Sequence, residues 1–158
     1  FQGTDALYFI EFLQHHYRNH TSLESAFSKG ITIKEKLSNF HDYFFSLPYA
    51  PERTRKHIAT PSRKSTCKRL NMFLRWMVRT DKEGIDFNLW KTISTTELMI
   101  PFDVHVERVA KHLGILSRKQ RDWSAVEELT NILRTFDPTD PIKYDFALFG
   151  MGVMEKNG

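Results

Sequence analysis

Apolar residues recur along this chain at intervals of three and four, in blocks separated by Gly, Pro and short polar turns. That spacing puts them on one face of a helix and predicts a succession of amphipathic helices. In the first block Thr4 or Asp5 is placed to cap a helix whose apolar positions Leu7, Phe9, Ile10 and Leu13 carry it towards Arg18. Thr21 with Glu24, and Thr32 with Glu35, each have the capping-box spacing, and Gly30 separates the two helices they open. Leu37, Phe40, Phe44 and Phe45 form the buried stripe of the second of these, which Pro48 and Pro51 stop. Residues 52–64 read as irregular. Ser65 or Thr66 then caps a helix from Cys67 to Arg79.

Beyond Gly84 a short helix is expected around Leu89, Trp90 and Ile93, and another around Leu98. Pro101-Phe102-Asp103 introduces a helix that ends at Gly114. Ser117 or Asp122 starts the next, reaching Leu133, and a last helix runs from Ile142 to about Glu155. No stretch alternates with period two long enough to make a strand, and no repeat or linker divides the chain. The fold class expected is all-α, as a single helical domain over residues 1–158.

Composition narrows the classes of function. Apolar residues are 41% and charged residues 27% of 158, with 13 Phe, so a sizeable core is available and disorder is excluded. The single cysteine, Cys67, excludes a disulfide framework, a cysteine-rich zinc site and an all-cysteine iron–sulfur cluster, so no cofactor is expected. No apolar run approaches a membrane span and no signal peptide is present, which leads to the expectation of a cytoplasmic protein without a membrane partner. The chain opens on Phe1-Gln2-Gly3 without an initiator Met, and the helix signal follows at once, so a native sequence shortened at its N-terminus is expected.

Charge changes the picture more. Between Arg53 and Arg79 there are nine Lys and Arg residues and no Asp or Glu, so against a total of +4 the remaining chain is net −5. A concentrated basic segment on an acidic body suggests a polyanion site; a solvated basic face is the plainer alternative. On a wheel, Leu70, Phe73, Leu74, Met77 and Val78 define the core face of the helix beginning at Cys67. Lys68, Met72, Arg75 and Arg79 fall on the opposite stripe, suited to tracking a phosphate backbone or to snorkelling at the surface. Asp103 stands where a helix cap belongs. Its apolar lead-in, Leu98 to Phe102, would desolvate the carboxylate and raise its pKa.

Pro101-x-Asp103-x-His105-x-x-Arg108-Val109, continuing to Leu113-Gly114, resembles the segment carrying the essential Asp of helix-hairpin-helix DNA glycosylases, the endonuclease III-like superfamily. Upstream, Cys67-Lys68-Arg69-Leu70-Asn71 is similar to the start of their second hairpin helix, where lyase members carry a Lys closely followed by an Asn. The Lys68-to-Asp103 gap is closer to the archaeal oxoguanine-glycosylase branch. The run Lys68 to Arg79, with Tyr144 to Gly150, also looks like an uncharacterised conserved bacterial family, and this likeness covers nearly the whole chain without naming an activity.

The resemblance implies a DNA repair glycosylase acting on double-stranded DNA, with abasic-site lyase activity through a Lys68 Schiff base and with Asp103 as its catalytic carboxylate. It implies DNA contacts from Arg63, Lys64, Ser65, Arg69, Arg75 and Arg79, and from His105 and Arg108 after the Asp. The Lys68 amine and Asp103 carboxylate would stand about 4–7 Å apart with room for a sugar. An extruded base needs an apolar pocket, for which Trp76, Phe102 and Trp123 are available, although Trp76 also suits the core. One departure matters. Residues 59–66 contain none of the glycines of the usual Leu-Pro-Gly-x-Gly hairpin, so either basic side chains take over that role or DNA binding is lost. A non-catalytic DNA-binding module of the same fold and an all-α interaction domain therefore stay open.

Other features suggest structure. His15-His16 is read as part of a surface helix without matching metal ligands, and Asp137-x-x-Asp140 as turn chemistry. Cys67 is read as a buried small residue, despite cationic neighbours able to lower its pKa. Gly150-x-Gly152 is read as a site of close helix packing.

Overall fold

A computed structural model describes residues 1–81 and 84–154. Among these residues six α-helices span Gly3–Tyr17 (α1), Ile33–Phe44 (α2), Lys68–Val78 (α3), Val104–His112 (α4), Trp123–Phe136 (α5) and Asp145–Met154 (α6). Four short 3-10 segments, Leu23–Phe27, Glu52–His57, Pro61–Arg63 and Thr95–Glu97, lie between them among the described residues. Among the described residues there is no strand, only one isolated antiparallel bridge between Thr80 and Phe87, so the fold is all-helical. Among them, too, no helix is long and apolar enough to cross a membrane.

Local signals fix the helix starts. Thr32 and Glu35 close the capping box of α2, Asp103 caps α4, and Asp122 caps α5 through Ala125 N–H. Phe12, Phe27, Phe40 and Phe44 pack ring on ring in the centre, with Phe27 and Phe40 stacked at 4.0 Å. Leu74, Val106, Val109, Leu129 and Leu148 continue the same apolar cluster towards the C-terminal helices.

Several expectations need correcting. In α1 the stripe Leu7, Ile10 and Leu13 faces solvent, and the buried face is Asp5, Tyr8, Phe12 and His16. Polar groups could go inside because partners await them. Asp5 accepts a hydrogen bond from Thr54 Oγ1 at 2.8 Å, and the His16 ring bonds Tyr43 Oη and the Ser22 carbonyl, each at 3.0 Å. His16 therefore does not belong to a surface face. The Thr21 helix is a 3-10 turn capped by Ser22. Residues 89–94 form no helix: Trp90 N–H donates to the Met77 carbonyl at 2.8 Å, and Glu24 accepts from Lys91 N–H and Thr92 N–H, which pins an irregular chain along the end of α3. Leu113 is exposed at the end of α4. The last helix begins at Asp145 rather than Ile142, and its expected end at Glu155 lies outside the described residues.

The packing of α6 on α4 is close. A Cβ on Gly152 would stand 2.8 Å from His105 Cβ and 2.9 Å from the His105 carbonyl oxygen, whereas a Cβ on Gly150 meets nothing within 4 Å. Gly152→Ala should therefore cost about 1–3 kcal/mol through overpacking. Gly150→Ala should instead gain up to about 1 kcal/mol from helix propensity. Urea denaturation of the two variants checks this; equal stabilisation by both would contradict the α4–α6 packing.

Candidate lysine–aspartate site

The chain reaches α3 through a turn built without glycine. Thr60 Oγ1 caps the Pro61–Arg63 turn, Lys64 adopts a left-handed backbone (φ 60°), and Ser65 Oγ accepts from Cys67 N–H at 3.2 Å. Cys67 is left-handed as well (φ 50°) and starts α3, while Asn71 Nδ2 donates to the Thr66 carbonyl at 3.1 Å and ties the turn to the helix. Two non-glycine residues in this region cost roughly 1–3 kcal/mol each, so the surrounding structure holds the turn in place. Ser65 thus has a local structural bond, and Cys67 is the buried small residue expected: burial pushes its thiol pKa up to about 12 despite the cationic neighbours.

Pro101 and Phe102 are buried and deliver Asp103 to the start of α4, facing the first residue of α3. The two carboxylate oxygens divide the work. Oδ1 accepts the cap bonds from His105 N–H at 2.9 Å and Val106 N–H at 3.0 Å. Oδ2 accepts from Lys68 Nζ at 2.6 Å. Capping and a role in chemistry are therefore not exclusive for this residue. The pair is in direct contact, so the 4–7 Å gap expected for it is not present. Burial alone would raise the Asp103 pKa, but the Lys68 ammonium and the two cap N–H groups outweigh it and hold the carboxyl below the usual range. This reverses the rise expected from the apolar lead-in.

Lys68 is about two-fifths exposed and borders two spaces. On one side a cleft of about 540 Å³ is lined by residues including Phe9, His57, Ile58, Ser65 and Arg69. On the other a cavity of about 140 Å³ is formed by Lys68, Met72, Pro101, Asp145, Phe146 and Phe149. The Lys68 ammonium lies 5.6 Å from the centre of the Phe149 ring. Among the described residues no group of three or more His, Cys, Asp or Glu is gathered to hold a metal ion.

The basic residues separate into two sets. Arg63, Lys64 and Arg69 are exposed and make no ion pair with a described residue. Arg75, expected on a DNA-facing stripe, is the largest fully buried side chain. It pairs with Asp86 at 3.3 Å and Asp145 at 2.5 Å, and its guanidinium stacks 4.0 Å from the Phe146 ring centre. Arg79 is likewise bound, to Asp86 at 2.7 Å and Asp140 at 2.8 Å. The polar stripe of α3 thus faces inward, neutralised by Asp86 in the loop after α3 and by Asp140 and Asp145 in the C-terminal segment. As a result Leu70, Phe73 and Met77 are only partly buried.

His105 and Arg108 are engaged within the chain as well: both bond the Gly152 carbonyl near the end of α6, where carbonyls lack helical partners. Phe102 and Trp123 are core residues and border neither space beside Lys68, and Trp76 is exposed rather than core-packed. The smaller cavity is walled by Phe146 and Phe149 instead, and because α6 is apolar nearly all round its pattern does not single them out. Asp137 accepts from Thr139 and Asp140 N–H, as turn chemistry requires.

Compared with curated proteins and with solved structures, the chain gives no match. A family model does match, over residues 1–154, so the chain belongs to the family described as Protein of unknown function (DUF2400).

Proposed function

We propose that this protein is a DNA repair glycosylase of the helix-hairpin-helix type with abasic-site lyase activity, acting on duplex DNA. The observation that carries the reading is the 2.6 Å contact between Lys68 Nζ and Asp103 Oδ2, made from the starts of two different helices beside an open cleft. A protonated Lys is inert as a nucleophile, and Asp103 Oδ2 is within reach to take its proton. The freed amine attacks the sugar C1′, the base departs with the electron pair of the glycosidic bond, and opening of the sugar ring leaves a Schiff base on Lys68. At an existing abasic site the same amine condenses with the C1′ aldehyde and releases water. The apolar space beside Phe146 and Phe149 suits an extruded base. The left-handed backbone at Lys64 and Cys67 supplies the sharp turn for which glycines are otherwise used, and the exposed Arg63, Lys64 and Arg69 surround it.

Borohydride added to the protein and an abasic duplex tests the reading, since the reduced Schiff base is a stable covalent adduct. Absence of any adduct leaves the second reading, a binding module without catalysis, which the same exposed cations favour. Both require duplex binding that weakens with salt. Alanine at Arg63, Lys64 or Arg69 should each lower the salt slope by about one while the fold is kept. Fluorescence anisotropy on a labelled duplex reads this; binding unaffected by salt and by all three substitutions would sink both readings.

A further inference from the structure

We propose that Asp145 is a positioning residue of the Lys68–Asp103 site, held by Arg75 so that its carboxylate acts on the pair across a shared cavity. The proposal rests on the reading of that pair as the reacting centre, but its physical content does not involve DNA. Asp145 is the first residue of α6 and is 4% exposed. It lines the 140 Å³ cavity together with Lys68. Arg75, about two turns along the same face of α3 from Lys68, grips it at 2.5 Å and shares its other side with Asp86. One turn further along α6, Phe149 backs the Lys68 ammonium, so the Arg75–Asp145 grip also sets the wall of the site.

The charged groups that face Asp145 are Arg75 and Lys68 from α3 and Asp103 from the start of α4, with Asp86 beyond Arg75. Burial raises the Asp145 pKa; among the charges, Arg75 and Lys68 lower it and Asp103 raises it. The carboxylate therefore responds to both members of the pair, in opposite senses. By reciprocity its charge acts on both of them in turn across the cavity that it lines with Lys68.

The experiment is a pH titration of the Asp145 side-chain carboxyl by carbon-13 NMR in the full chain, in Lys68→Ala and in Asp103→Asn. Asn retains a good helix cap and Ala suits the first turn, so both variants should fold. Losing the cation should move the Asp145 midpoint up, and losing the like charge should move it down, each by a few tenths to about one pH unit. A residue that only anchors α6 through Arg75 would titrate at the same pH in all three proteins, and that result overturns the proposal. Failure of borohydride trapping would remove the glycosylase reading and leave this outcome unaffected.

Discussion

Replacing Arg75 with Glu is expected to unfold the domain, although the residue reads in the sequence as one more cation of a basic surface. Its side chain is 1% exposed, and the Asp86 and Asp145 side chains it neutralises are 0% and 5% exposed. Removing one member of such a group leaves uncompensated charge out of water and costs about 3–5 kcal/mol. Glu adds a further buried anion, with Arg79 the remaining cation on Asp86 and Asp140. For a domain whose whole stability is of order 5–15 kcal/mol, that is enough to abolish folding at ambient temperature. Arg63→Glu, at an exposed position, should stay within about 0.5 kcal/mol of the parent. Urea denaturation followed by circular dichroism distinguishes the two; a folded Arg75→Glu with an unchanged midpoint would show that the buried network is wrongly drawn.

Lys68→Ala and Asp103→Asn should separate chemistry from binding. Lys68→Ala removes the amine, and the covalent adduct with abasic DNA should disappear while duplex binding persists through Arg63, Lys64 and Arg69. Asp103→Asn keeps an oxygen for the His105 and Val106 N–H groups but loses the proton acceptor for Lys68. The trapping rate should fall by about 10²–10⁴, the usual contribution of a positioned general base. Stability should change far less, because Asn and Asp cap comparably. Single-turnover trapping and thermal unfolding of the same preparations provide the two readouts. A rate unchanged in Asp103→Asn would restrict that residue to capping.

What could be read in the sequence was what is decided locally. Thr32 with Glu35, Asp103 and Asp122 start helices through bonds spanning two or three residues, and those starts were visible. The candidate Lys68 and Asp103 could be singled out through resemblance, and they do meet. Arg75 could not be placed, because the wheel separates polar from apolar and is blind to partners 11 and 70 residues away. The same blindness reversed the face of α1, where Asp5 is buried by Thr54 and His16 by Tyr43. The turn before α3 is silent in the sequence for another reason: Lys64 and Cys67 carry no trace of their left-handed backbone, which a glycine would signal.

Whether Lys68 is the nucleophile is measured most directly by the site of attachment. The protein is incubated with an abasic duplex under borohydride, the nucleic acid is digested away, and the peptides are mapped by mass spectrometry. The account predicts the reduced sugar remnant on Lys68 Nζ. Attachment at the exposed Lys64 or at the terminal amine, with Lys68 unmodified, would contradict it.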